Sequence, residues 1–204
     1  GVRLGEVFSH DAQHCSRCLL SEYIVSPNNH TCQKCPPGLV CENGVVVSPA
    51  VEGSVWEVVG EVYLLRSCPI GYRMYTDKVE LQECLPCGKG EECAAAPCTS
   101  CSECEVGHYK QVVGPQLCRR CPRNTYGPRL GASAFEDCAA CPEGAVTKSD
   151  GRSHPLDCFC NPTRYTIFHN ETQTITCKPC PVGALCSDGS CALRFDNQTC
   201  PRNE

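Results

Sequence analysis

The sequence predicts a small disulfide-rich fold: tandem modules of short β-strands and turns in an elongated rod, with almost no helix. Three observations predict it. Cysteine occurs 23 times in 204 residues, about 11 %, above the roughly 8–10 % that marks a disulfide scaffold. Leu, Ile, Val and Phe together make just under a fifth of the chain, too little for one large core, so the modules need covalent staples. One cysteine pattern also returns. "CQKCPPGLVC" at 32–41, "CLPCGKGEEC" at 84–93 and "CKPCPVGALC" at 177–186 share the spacing Cys-x2-Cys-x5-Cys.

The repeat runs along most of the chain. Pairs two residues apart are Cys15/Cys18, Cys32/Cys35, Cys84/Cys87, Cys118/Cys121, Cys138/Cys141 and Cys177/Cys180, with Cys98/Cys101/Cys104 as a triple and Cys158/Cys160 as a tighter variant. Successive pairs are 17 or 20 residues apart, an internal repeat. Three residues after the second cysteine comes Gly38, Gly90, Gly107, Gly144 or Gly183, with Asn124 in the step after Cys121. Gly and Asn are the residues that best tolerate positive φ. Pro36, Pro69, Pro122, Pro142 and Pro181 directly follow a cysteine. Cys-Pro-x-Gly then places Pro second and Gly fourth, as a type I turn prefers. Two residues after the glycine position stand Val40, Tyr109, Tyr126, Val146 and Leu185, with Glu92 as the exception. Each step reads as disulfide, tight turn, short strand with one inward side chain at that position, and return. Gly and Pro punctuate the chain throughout, which leaves little room for helix.

Five segments follow: an N-terminal cysteine-rich module (1–41), a cysteine-free hairpin-like segment (42–67), cysteine-rich modules with CxxCxxC (68–117), one long repeat (118–160) and a C-terminal cysteine-rich module (161–204). In the cysteine-free segment, Trp56, Val58, Val62 and Leu64 fall on one face of an alternating pattern, opposite Glu57 and Glu61. "VVV" at 45–47 is its expected partner strand. A two-stranded ribbon is marginal alone, so this face is expected to pack on another domain or a neighbouring subunit.

The cysteines expected in bridges are Cys32, Cys35, Cys41, Cys84, Cys87, Cys93, Cys118, Cys121, Cys138, Cys141, Cys158, Cys160, Cys177, Cys180 and Cys186. Two pairings fit 118–141. One has parallel rungs, Cys118–Cys138 with Cys121–Cys141. The other is a chain of loops, Cys121–Cys138 flanked by Cys104–Cys118 and Cys141–Cys158. Spacing does not choose between them. Because the count is odd, at least one cysteine is free or bonds outside this chain; Cys15 and Cys18 are the candidates, being near the terminus in the step that lacks the Pro-Gly turn.

The net charge is −5 without a long run of either sign, so the basic face of a nucleic-acid binder is missing. No apolar run approaches the roughly 20 residues of a membrane span; a membrane anchor would lie outside this segment. Sequons stand at Asn29, Asn170 and Asn197, while Asn161 is blocked by Pro162. Sequons in a cysteine-rich chain fit a secretory route, hence an extracellular or cell-surface location with N-linked glycans at those three positions.

The run "CRRCPRNTYGPRLGASAFEDCAACPEGAVTKSDGRSHPLDCFC" at 118–160 resembles the ephrin-receptor-like cysteine-rich repeat, CxxCPxGTYxxxxGxxxxxxCxxCPxGxxTxxxGxxxxxxCxC. Matching positions are Cys118, Cys121, Pro122, Thr125, Tyr126, Gly131, Cys138, Cys141, Pro142, Gly144, Thr147, Gly151, Cys158 and Cys160; Asn124 departs from the first PxG glycine. Over 84–117 and 161–200 the match is partial, and over 1–83 only the cysteine knots are similar. The CxxCxxC at 98–104 is similar to tumour-necrosis-factor-receptor modules. The resemblance implies an all-disulfide, EGF-like module of extracellular proteins, without catalysis or cofactor.

Other readings of the cysteines compete. Tandem CxxC also suits zinc, and His10, His14, Cys15 and Cys18 form a candidate ligand set. A redox dithiol would need a low-pKa thiolate at a helix N-terminus, and no helix is expected. Ser9-His10-Asp11 has the letters of a hydrolase triad, but such residues converge through the fold rather than as neighbours. Tyr72, Tyr109 and Tyr126 follow successive turns and are read as covers for neighbouring disulfides in preference to a sugar- or peptide-binding strip. The function expected is non-enzymatic: a stalk, or a subunit of an extracellular filament or surface assembly. The alternatives are a ligand-binding or adhesive receptor ectodomain and a structural zinc module.

Overall fold

The computed structural model describes residues 17–27, 31–187 and 189–193, with backbone alone at Ala192 and Leu193. Strands are short because only a few residues separate one cysteine from the next. Each sheet has two strands. The shortest ladders hold two residue pairs, as in Glu91–Glu92 with Ser102–Glu103, His108–Tyr109 with Arg119–Arg120, and Thr125–Tyr126 with Ala139–Ala140. Longer hairpins occur where cysteines are sparser. Leu39–Glu42 pairs with Val45–Pro49, and Arg164–His169 pairs with Thr174–Pro179. Single 3-10 turns at Val79–Leu81, Phe135–Asp137 and Pro155–Asp157 are the only helical elements among the described residues.

Two compact units form. One runs up to Arg66 and includes Tyr75–Cys84; the other holds Ser67–Met74 and Leu85 onward. In the first, the core is small and polar groups help to set it. Tyr23 is 1 % exposed; its ring meets Tyr63 edge-on at 5.3 Å and its hydroxyl accepts from Tyr63 N. Burial raises the Tyr23 pKa above the usual tyrosine value. Gln82 is equally hidden; its Oε1 accepts from Leu65 N and its Nε2 donates to the Val79 carbonyl. Two hairpins follow one another here. The chain turns at Asn43-Gly44, both at positive φ, as a tight hairpin prefers. It turns again at Gly60-Glu61, between Val55–Val59 and Val62–Ser67. The "VVV" strand therefore pairs backward with Leu39–Glu42 and not, as expected, with the Trp56 strand. The Asn-Gly turn closes a two-residue connection, which wins over the longer "SPAVEGS" route. The expected boundary after 41 falls inside this hairpin.

In the second unit, the core is largely sulfur. Cys158, Cys160 and Cys177 cluster with Ala145 and Ile175, covered by Tyr126, Cys141 and Phe168. Backbone hydrogen bonds repeat from step to step. The cysteine opening a turn donates to the turn residue of the step before: Cys87 to Gly71, Cys104 to Gly90, Cys121 to Gly107 and Cys141 to Asn124. A loop glycine adds a second bond to that same preceding step: Gly114 to Cys87, Gly131 to Cys104 and Gly151 to Cys121. Each step is thus bonded twice to the one before it, through its opening cysteine and its loop glycine.

The turn differs from the sequence expectation by one residue. The amide after the glycine position donates to the residue three before it, as in Tyr72 to Pro69, Thr125 to Pro122, Ala145 to Pro142 and Ala184 to Pro181. Proline is therefore first and glycine third. Gly71, Gly107, Gly144 and Gly183 have φ near +80°, at 83°, 79°, 80° and 87°, which is the third position of a type II turn. Type I would put that residue at negative φ and aim its peptide away from the next step. The inward strand position shifts as well. Leu39 and Ala145, one residue after the glycine, are buried, whereas Val40 and Leu185 are exposed at 39 % and 62 %.

A pair of substitutions separates conformational strain from close approach. A Cβ at Gly183 would meet nothing within 4 Å, whereas one at Gly107 would lie 2.5 Å from the Gly151 carbonyl oxygen. Gly183→Ala is expected to cost about 1 kcal/mol of backbone strain. Gly107→Ala adds an overpacking cost of about 1–3 kcal/mol. Thermal unfolding under non-reducing conditions should show the larger loss for Gly107→Ala; equal losses would contradict the packing.

Candidate functional site

The repeated step, and not a cluster of catalytic side chains, is the candidate functional element. Its covalent part is a chain of loops. Cys104–Cys118, Cys121–Cys138 and Cys141–Cys158 are bonded, so the second of the two pairings is the one formed. The same rule gives Cys18–Cys32, Cys87–Cys101 and Cys160–Cys177. Loops so closed have sequence separations of 14 or 17. Three smaller bridges lock the turn-and-strand knots, Cys35–Cys41, Cys93–Cys98 and Cys180–Cys186. Cys68, Cys84 and Cys191 are also disulfide-bonded. All 21 described cysteines are oxidised. Cys18, expected as a candidate free thiol, is bonded to Cys32; Cys15, Ser9, His10, Asp11 and His14 lie outside the described residues.

This wiring bears on the rival chemistries. The two cysteines of one CxxC belong to different bridges, so the pair is not a closed redox dithiol. Cys18, Glu22 and Cys32 bring ligand-type atoms within 4.8 Å of one another. The two sulfurs are joined, however, and offer no thiolate to a metal.

Polar side chains hold the step where apolar ones are scarce. Asn124 sits at φ +68° and does more than replace glycine. Its Oδ1 accepts from Thr147 N at 3.3 Å, and its N–H donates to Thr147 Oγ1 at 2.9 Å. Two positions of the motif are thereby cross-linked. Asp137 Oδ2 accepts from Ser133 N and Ala134 N. Asp157 Oδ2 does the same for Ser153 N and His154 N, so each carboxylate folds the approach to its following cysteine. Glu92, the exception to the apolar pattern, accepts from Cys118 N at 2.7 Å and is a structural acceptor. Tyr109 packs edge-on against Phe135 at 5.9 Å, and Tyr126 covers the cystine cluster.

Lys110 is the residue that sequence reading missed. It is 3 % exposed. Its Nζ donates to three backbone carbonyls, Cys87 at 3.2 Å, Glu91 at 2.9 Å and Gly114 at 2.7 Å. One ammonium therefore fastens three segments. Burial holds its pKa below the usual lysine value, partly offset by the nearby Glu92 and Glu91. Beside it lies a cavity of about 90 Å³ bordered by Tyr109, Val112, Gln116, Leu117 and Arg119.

The expected interface residues do not form one exposed strip. Trp56 is half-buried: its ring lies where a Cβ on Gly38 would stand, and its Nε1 donates to Ser54 Oγ at 3.0 Å. Val62 and Leu64 are also half-buried, and Val58 is exposed. Of the sequons, Asn170 is exposed in the connection between Arg164–His169 and Thr174–Pro179. Asn29 and Asn197 lie outside the described residues.

Cystine loops in tandem, type II turns and polar cross-links define a cysteine-rich, disulfide-bonded module array of extracellular type. Residues 94–138 match the family described as tyrosine-protein kinase ephrin type A/B receptor-like, so the chain carries a cysteine-rich repeat of that kind. This span includes the CxxCxxC and ends at Cys138, earlier than the stretch on which the resemblance was read. The repeating bonds make the phase of such a boundary a matter of convention. The chain is 27 % identical over 176 residues to proprotein convertase subtilisin/kexin type 5 of Mus musculus, covering 81 % of this chain and 7 % of that protein. It is 26 % identical over 118 residues to the Homo sapiens protein of the same name, covering 57 % of this chain and 4 % of that protein. The chain thus spans less than a tenth of either relative.

Replacing Lys110 by Met keeps the aliphatic stem and removes the ammonium. Unsatisfied buried carbonyls cost about 1–3 kcal/mol, and loss of proteolytic resistance around 87–118 is expected. The pH dependence has a definite sign. With its folded pKa lowered, the unfolded chain binds more protons in the window just below the ordinary lysine pKa, so stability rises with pH there. Lys110→Met should abolish that rise in unfolding experiments; an unchanged slope would place the charge elsewhere.

Proposed function

We propose that the chain is a non-enzymatic structural segment of a larger extracellular glycoprotein, a disulfide-stapled stalk or a subunit of an extracellular filament or surface assembly. The observation that carries this reading is the serial bonding. Each step of the second unit is fastened to its neighbour by the same pair of backbone bonds, so length is added by repeating a step without enlarging a core. Chemistry supports it further. The buried polar side chains of Gln82, Lys110 and Thr147 are spent on backbone groups. The oxidised cysteines suit an oxidising compartment outside the cell. Among the described residues no helix is long and apolar enough to cross a membrane. The partners of such a segment are other domains of its parent chain or neighbouring subunits. The convertase activity named for the relatives belongs to proteins of which this chain spans a small share, and is not part of the reading.

A second reading, a ligand-binding or adhesive receptor ectodomain, is favoured by one observation. The cavity beside Tyr109 is bordered by Val112, which is 53 % exposed, and Val113, next in the sequence, is 62 % exposed. The two readings differ in shape and binding. A compact chain of this length has a radius of gyration of about 17 Å. Small-angle scattering of the oxidised chain is expected to give a clearly larger value. A compact value would contradict the stalk, and a stoichiometric soluble ligand recovered from cell-surface pull-downs would favour the receptor.

A further inference from the structure

We propose that Asn170 carries an N-linked oligosaccharide. The site is built from three observations. Asn170-Glu171-Thr172 is an acceptor sequon. The four connection residues 170–173 are all exposed, at the end of a hairpin whose buried side chains, Ile167, Ile175 and Cys177, lie within its strands. The turn is also held by bonds that leave the acceptor amide out. The Asn170 carbonyl accepts from Gln173 Nε2 at 2.8 Å, and Thr172 Oγ1 meets Thr174 Oγ1 at 2.7 Å. The Asn170 carboxamide makes no hydrogen bond among the described residues.

Neighbouring asparagines show the contrast. Asn161 Oδ1 accepts from Thr163 N and Oγ1, and Pro162 excludes it as an acceptor. Asn124 Oδ1 accepts from Thr147 N. Both carboxamides serve the fold, whereas that of Asn170 serves nothing in it. The sequon also stands in the middle of the loop closed by Cys160–Cys177, so forming that bridge does not cover it. A glycan there displaces no packed group.

The transfer needs a donor of one chemical class, an oligosaccharide on a polyisoprenyl diphosphate. Asn170 Nδ2 attacks the anomeric carbon of the sugar. The N–C bond forms and the C–O bond to the diphosphate breaks. The diphosphate leaves with the electron pair and the amide loses one proton.

The inference rests on the secretory reading. The test therefore supplies a secretory leader, which places the chain in the lumen whatever its native location, so a negative result counts against the site and not the location. The chain is expressed in eukaryotic cells and peptides are mapped after peptide-N-glycosidase treatment in heavy-oxygen water, from both secreted and lumenal material. The peptide containing Asn170 is expected to return as heavy-oxygen aspartate. Asn170→Gln and Thr172→Ala should each lose the mobility of one glycan, and Thr172→Ser should keep it. Unmodified Asn170 in both fractions, or a mobility unchanged by Asn170→Gln, would overturn the proposal.

Discussion

One covalent constraint organises the rest: each step's trailing cysteine is bonded to the leading cysteine of the following step. In the chain-entropy picture, closing a loop of about 15 residues is worth roughly 3 kcal/mol. The strands gain little by comparison, since many ladders hold only two pairs. Without the cystines the short hairpins would be marginal. With them, two-residue strands suffice, and the apolar content can fall to the low level this chain shows.

The second constraint is the turn that follows. A residue at positive φ points its carbonyl to the cysteine of the next step, as Gly107 does for Cys121. The same conformation lets the next-but-one loop approach closely, because a side chain at Gly107 would strike Gly151. Backbone hydrogen bonding and close packing therefore demand one residue type for two reasons. Asn124 satisfies the first demand and adds a bond to Thr147. Gly38 has the opposite balance: it is not at positive φ, and it is glycine because Trp56 and the backbone at Gln82 occupy the place of its Cβ.

Much of this was legible in the sequence. Cysteine content and spacing specify the fold class, and the recurrent glycine, with asparagine as its one replacement, marks the positive-φ position in every step but that of Gly38. Three things were not legible, each for a physical reason. The turn type depends on which carbonyl is bonded, and a phase error of one residue moves proline from first to second place and the inward side chain from Ala145 to Val146. The roles of Lys110, Glu92 and Gln82 leave no periodic trace, because a polar side chain that caps distant carbonyls or amides looks like any surface residue. The packing of Trp56 depends on Gly38, which lies in another hairpin, so local alternation alone assigned it to an open face.

The serial pattern depends on the chain of loops, because alternative rungs would place both cysteines of a pair against one neighbour and break it. Non-reducing peptide mapping by mass spectrometry tests it directly. Cross-linked peptides joining Cys104 to Cys118, Cys121 to Cys138 and Cys141 to Cys158 are the predicted result. Peptides joining Cys118 to Cys138 and Cys121 to Cys141 would contradict it.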